Sequence, residues 1–166
     1  MKAVSRVPVI VLMLIISILR FPANSFGQPN YNQVNFLSMQ EFELQAFVPK
    51  DDVWVIDFWA SWCRPCIASI PELKEIVRKY EGRNVKVISV SEDQDDGPWL
   101  NAVTKYSMNW EQVKVPDPRN APFIDKYFRH NYIPTLYLIE KSGKIRKIAG
   151  IQVLSPAIEK ALKKER

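Results

Sequence analysis

The chain alternates between short, dense apolar runs and longer stretches where apolar residues return every three or four positions. Val53 to Trp59 (VWVIDFW) and Val85 to Val90 (VKVISV) are rich in β-branched and aromatic residues. Such runs predict strands of a parallel sheet, buried on both sides. Between them Ile67, Ile70, Leu73, Ile76, Val77 and Tyr80 recur at the helical period. Pro65 suits the first turn of that helix, Pro71 predicts a kink within it, and Gly82 marks its end. Strand, helix and strand at this spacing predict a right-handed parallel βαβ unit. Upstream, a polar lead-in over 28–35 precedes Ser38 and Glu41, a capping-box pair that predicts a short helix over 39–47. That helix ends by Pro49, before a turn at Lys50-Asp51-Asp52. Downstream, a polar loop over 91–97 leads to a helix over 98–106, and a loop over 117–120 leads to a helix over 121–129. Thr135 to Ile139 and Lys144 to Ala149 predict an antiparallel hairpin around Lys141-Ser142-Gly143. Ser155 is expected to cap a last helix, with Pro156 in its first turn. The expected class is α/β, a mixed sheet with helices on both faces.

The amino-terminal pattern is different. Lys2 and Arg6 precede an uncharged apolar run from Val7 to Leu19, and Ala23-Asn24-Ser25 supplies small residues after it. This three-part pattern predicts an export segment over 1–27, cleaved after Ser25 or Gly27 or kept as an anchor. The run is shorter than the roughly 20 apolar residues a membrane span needs. The remainder, 28–166, fits one domain. Without Lys2, Arg6 and Arg20 the formal charge falls from +5 to +2, so the basic balance says little for nucleic acid. Lys160 to Arg166 is interrupted by Ala161, Leu162 and Glu165 and reads as a solvated helix face. A monomer without a bound cofactor is expected.

Candidate chemistry centres on FWASWCRPC, Phe58 to Cys66, which holds the chain's two cysteines. A structural zinc site needs four ligands. The lone histidine, His130, lies far along the chain and reads as an exposed helix-end residue. Two thiolates could hold Cu(I), but no methionine or second histidine lies near. A disulfide spanning two residues closes almost no loop and adds little stability. A redox reagent accounts for the details. Cys63 falls where a strand hands over to a helix, and exposed N–H groups there favour a thiolate. Cys66 lies three residues on, on the same side. Cys63 is thus the expected accessible nucleophile and Cys66 its buried resolving partner. Asp57 is an acid inside a buried strand, where desolvation raises its pKa. Glu92 and Asp93 are rival or auxiliary acids, more readily read as solvated loop residues. Trp54, Trp59, Trp99 and Trp110 read as packing residues.

FWASWCRPC resembles the active-site segment of thioredoxin, and Ile133-Pro134-Thr135 matches the same fold's second landmark. The match runs over 53–164. With the amino-terminal pattern and the long segment between Val90 and Ile133, the chain resembles the TlpA/ResA type of extracytoplasmic thiol–disulfide oxidoreductase. The resemblance implies a thioredoxin fold with a helical insert before the Ile133–Pro134 strand, and a cis bond at Pro134. It implies that Pro134 lies against the cysteine pair, that the Ile133 backbone pairs with an extended substrate, and that Asp57 exchanges a proton with Cys66. Trp62, Arg64, Pro65 and Thr135 are expected to border the substrate. Arg64 departs from the family's more common glycine, and its charge favours the Cys63 thiolate. The direction implied is reduction of exported protein disulfides, with a membrane electron donor restoring the dithiol. An oxidase or isomerase, a Cu(I) chaperone and a redox-dependent binding module are the alternatives.

Overall fold

The computed structural model describes residues 34–47, 52–115 and 121–164. These belong to one compact unit, Tyr31–Arg166. The expected export segment, residues 50 and 51 of the turn, and the 117–120 loop lie outside the described residues. Strand β1 (Val53–Trp59) is the centre of the molecule, and its seven residues are all buried. It pairs in parallel with β2 (Val85–Ser91) and antiparallel with β4 (Thr135–Ile139). Strand β3 (Glu111–Lys114) adds to β2 in parallel, and β5 (Ile145–Ile148) adds to β4 antiparallel. The order is β3-β2-β1-β4-β5.

Period-two alternation sends β1 side chains to opposite faces. Val53, Val55 and Trp59 join a core with helices α2 (Arg64–Tyr80), α3 (Asp96–Lys105) and α5 (Leu154–Lys163). Trp54, Ile56 and Phe58 join a second core with α1 (Met39–Phe47) and α4 (Pro122–Tyr127). The capping box forms: the Ser38 N–H donates to Glu41 Oε2 at 2.8 Å, and the Glu41 N–H donates to Ser38 Oγ at 3.2 Å. Helix α2 runs on through Pro71 as one 17-residue element. Its buried residues Ile70, Leu73, Ile76 and Tyr80 outweigh the single backbone bond the proline removes. Gly82, at φ +70°, makes the left-handed turn that follows.

Two expectations are corrected. Strand β3 was not anticipated, because EQVK is short and half polar; it pairs in parallel with β2. Ser155 does not cap α5, whose N-cap is Val153 and has no side-chain cap bond. Ser155 lies one residue inside the helix, and its hydroxyl instead contacts Lys79 Nζ at 2.8 Å and Tyr80 Oη at 3.0 Å.

Candidate active site

The chain leaves β1 at Trp59, turns through residues 60–63 and enters α2. Cys63 is the N-cap of that helix, and its sulfur accepts the Cys66 backbone N–H at 3.2 Å. Ser, Thr, Asp or Asn normally supply an oxygen for this task. Sulfur in their place faces the first-turn N–H groups and the positive end of the helix dipole, which stabilise a thiolate. Cys63 and Cys66 are joined as a disulfide, with Sγ–Sγ 2.01 Å and Cα–Cα 5.2 Å. Cys66 is 2% exposed and Cys63 is 5% exposed. In this oxidised form Cys63 is therefore less accessible than expected, with its sulfur bonded to Cys66 and set against the first-turn N–H. Trp62 beside it is 67% exposed, and Arg64 and Pro65 also face solvent.

The acids after β2 are structural, not solvated. Asp93 is 2% exposed. Its Oδ2 accepts the Ser61 N–H at 2.9 Å and the Ser91 hydroxyl at 2.7 Å, and its Oδ1 accepts the Ser61 hydroxyl at 2.6 Å. These bonds hold the turn that delivers Cys63. Glu92 meets His130 Nε2 at 2.6 Å, while His130 Nδ1 lies 2.7 Å from the Phe128 carbonyl. The His130 side chain is 4% exposed and packs on Phe58 at 4.2 Å between ring centroids. It is buried, contrary to the sequence reading, because the loop after α4 folds back over the end of β2. Two adjacent acids thus fasten the cysteine turn and the loop before β4. Sequence offered no signal for either pairing beyond the side-by-side acids.

Asp57 points to the α2 face, as alternation along β1 requires. It lies in register with Ser89 of β2 and with Leu136 of β4. The Ser89 hydroxyl donates to Asp57 Oδ2 at 2.9 Å, and Trp110 Nε1–H donates to Ser89 Oγ at 2.8 Å. Burial pushes the Asp57 pKa up to about 6, and the Ser89 bond opposes this in part. Trp54, Trp59, Trp99 and Trp110 are all buried, as expected, but Trp110 also has this polar contact. The Asp57–Ser89 pairing follows from strand register, which sequence alone did not supply.

A cavity of about 270 Å³ brings Asp57 together with Pro65, Ser69, Pro134, Thr135 and Lys147. Ser69 donates to the Cys66 carbonyl at 2.8 Å. The Ile133–Pro134 bond is cis. Ile133 and Pro134 are half-buried, and Thr135 is buried with its hydroxyl donating to the Tyr132 carbonyl at 2.7 Å. Tyr132 is 65% exposed and carries the Lys147 ammonium 4.6 Å from its ring centroid. The fold therefore gathers Asp57, Pro65, Pro134 and Thr135 around one cavity, although some 80 residues separate the first from the last.

A family model for thioredoxin-like proteins matches residues 51–145. A relative from Bacillus thuringiensis subsp. konkukian, the thiol-disulfide oxidoreductase ResA, is 31% identical over 137 residues, which is 82% of this chain and 75% of that protein. A thiol-disulfide oxidoreductase structure from Bacteroides fragilis is 27% identical with a TM-score of 0.59, covering 67% of this chain and 82% of the other. The thioredoxin domain of a thiol-disulfide oxidoreductase from Bacteroides vulgatus is 23% identical with a TM-score of 0.61, over 69% and 81% of the two chains, and shares the fold.

Proposed function

The chain belongs to the thioredoxin-like family and is a thiol–disulfide oxidoreductase, and from that premise we propose that it reduces disulfides of exported proteins. One observation carries this reading: Cys63 Sγ occupies the N-cap of α2, bonded to Cys66 and within reach of its N–H. In the dithiol form the Cys63 thiolate attacks a client disulfide. A Cys63–client bond forms, the client S–S bond breaks, and one client thiolate leaves. Cys66 gives its proton to Asp57 and attacks Cys63 Sγ. The Cys63–Cys66 bond forms, the mixed disulfide breaks, and the second client sulfur departs as a thiolate that takes a proton from water. Two electrons pass to the client, and a membrane electron donor returns them.

Pro134 offers no N–H to compete with the sulfur, and the Ile133 backbone pairs with an extended client segment. Trp62, Arg64, Pro65 and Thr135 border that segment. Trp62, next to Cys63 in sequence, and Tyr132, in the segment before Pro134, are both exposed and supply an apolar landing surface. Export rests on the Val7 to Leu19 run. Among the described residues no helix is long and apolar enough to cross a membrane. We assign a monomer that works without cofactor or nucleic acid.

The test is Cys66→Ser in the reduced protein, exposed to an envelope extract. The expected product is a covalent adduct at Cys63 that dithiothreitol reverses. A partner retained without that bond would make the chain a binding module instead. Direction is read from the midpoint potential, expected well below the roughly −120 mV of DsbA, a strong oxidant. A value close to that oxidant's would reverse the proposed electron flow.

A further inference from the structure

Asp57 sits at the end of a hydrogen-bond chain whose polarity is fixed from its far end. An indole N–H can only donate. Trp110 Nε1 therefore takes a lone pair of Ser89 Oγ, and the Ser89 hydroxyl hydrogen turns to Asp57 Oδ2, 2.9 Å away. All three residues are buried: Ser89 is 0% exposed, Asp57 5% and Trp110 8%. The strands place them there, since Asp57 and Ser89 are register partners across β1 and β2, and Trp110 directly precedes β3, the strand beside β2. With Oδ2 already accepting the Ser89 hydrogen, Oδ1 keeps both its lone pairs and is the oxygen better placed to take an arriving proton.

We propose that Ser89 and Trp110 are positioning residues that hold Asp57 Oδ2 as a permanent acceptor and so reserve Oδ1 for the proton exchanged with Cys66. This rests on the reading of Asp57 as the proton acceptor. It adds a residue on β2 and one just before β3 that touch neither client nor sulfur. The step they govern is the second half of the exchange. The Cys66 S–H proton passes to Oδ1, the Cys66 sulfur attacks Cys63 Sγ, and the client sulfur leaves with the electron pair of the broken bond. Without Ser89 both carboxylate oxygens would lack a donor in a buried site, and the ionised acid would be harder to form. Without the Trp110 N–H the Ser89 hydroxyl could rotate away, and only part of that support would go. The other groups facing Asp57 are few. Helix α2 contributes Pro65 and Ser69, which flank Cys66 in sequence, while Tyr132 and Lys147 line the shared cavity from the loop before β4 and from β5. Ser89 and Trp110 do not titrate, so they can act only through the acid.

The experiment uses the full chain, reduced, with dithiobis-nitrobenzoate as the disulfide, followed by stopped-flow absorbance between pH 5 and pH 9. Release of the second nitrothiolate reports attack by Cys66. Carbon NMR of the Asp57 carboxyl, in the same variants, reads its titration directly. Ser89→Ala is expected to move both the carboxyl titration and the lower limb of the second release upward by about one pH unit. Trp110→Phe keeps an aromatic ring while removing the N–H donor and part of the indole's volume, and it should move both by about half as much. Ser89→Thr, which restores the hydroxyl, should return the titration most of the way. First release, made by Cys63, should be unchanged in all three. An Asp57 titration that Ser89→Ala leaves in place overturns the relay while leaving Asp57's own role intact. A second release that Asp57→Asn leaves unslowed overturns the proton-acceptor reading and the relay's part in catalysis with it. A Trp110→Phe shift equal to or larger than that of Ser89→Ala overturns the order of the chain.

Discussion

The two faces of the sheet share five strands and are built to opposite rules. The face under α1 and α4 is a continuous aromatic cluster: Phe128 lies 6.1 Å from Phe42, 6.0 Å from Phe58 and 5.4 Å from Tyr137 between ring centroids. The face under α2 carries the sulfurs and is laced with polar groups, Asp57, Ser89, Ser91, Asp93 and Gln112, all buried. The Gln112 side-chain amide there has no protein partner among the described residues. Aromatic packing stabilises without regard to pH. A buried acid does the reverse, since its charged form is disfavoured by the same burial that shapes its chemistry. The difference teaches that one strand can supply both: the even positions of β1 anchor the fold, and an odd position, Asp57, lines the cavity beside α2. Stability on one side offsets its loss on the other.

The largest expected effect breaks the anchoring face. Phe128→Ala should destabilise the protein by about 3–5 kcal/mol, measured by urea unfolding of the oxidised form. The loss should be present at both pH 5 and pH 8, because the ring itself carries no charge and only the Phe128 carbonyl, which the substitution keeps, meets His130. A loss confined to one pH would mean that the aromatic face is coupled to the acids opposite.

Asp57→Asn tests the other face, and the sign is opposite. The folded-state pKa of Asp57, about 6, lies above the ordinary value of 3.8, so the folded protein holds that proton more tightly than the unfolded chain does. Its contribution is fully present below about pH 4 and is lost as pH rises through 6. At about 1.4 kcal/mol per unit, the wild type is weaker at pH 8 than at pH 4 by about 3 kcal/mol from this group. Asp57→Asn should recover most of that at pH 8 and gain nothing at pH 4. Equal stability of the two proteins across the range would remove the cost assigned to this acid.

How much of this was legible beforehand follows from which physics each feature uses. Period and composition exposed β1, β2, α2 and the hairpin, because buried strands and amphipathic helices print their burial directly on the chain. The side of β1 that carries Asp57 was implied only by the family resemblance, since the run is apolar on both faces. Strand β3 was not legible, since a four-residue edge strand with two charged ends has no such print. The role of Ser89 depends on register, and those of Asp93 and His130 depend on how loops fold back. All are decided by contacts tens of residues apart, as with Ser61 to Asp93 and Glu92 to His130. Ser155 misled because a Ser-Pro pair signals a helix start without saying which residue is the cap.

A smaller effect separates the turn from the acid beneath it. Asp93→Ala removes three acceptor contacts from the Ser61 and Ser91 groups. About 2 kcal/mol of stability should go with them. Cys63 should also lose its fixed position, so disulfide exchange should slow about tenfold. Asp93→Asn keeps the shape and should fall between. Unlike Asp57→Asn, neither variant should stabilise the protein at any pH. Stabilisation at pH 8 would show that Asp93 is a second strained acid rather than a fastening.

The finest test concerns the only charge that sequence places against the nucleophile. Arg64 opens α2 directly after Cys63 and is exposed. Solvent and salt screen an exposed guanidinium, so its support for the thiolate is small beside that of the helix N-terminus. Arg64→Gly should move the midpoint of Cys63 alkylation by iodoacetamide upward by a few tenths of a pH unit, and make the couple more reducing by about 10 mV. Raising the salt to half molar should shrink both shifts, because the screening length then falls to roughly 4 Å. The helix contribution acts through N–H groups in direct contact with the sulfur and should survive that salt. An alkylation midpoint unchanged by Arg64→Gly would leave the helix as the source of thiolate stability. A shift beyond one unit would mean that the guanidinium closes onto the sulfur once the disulfide opens.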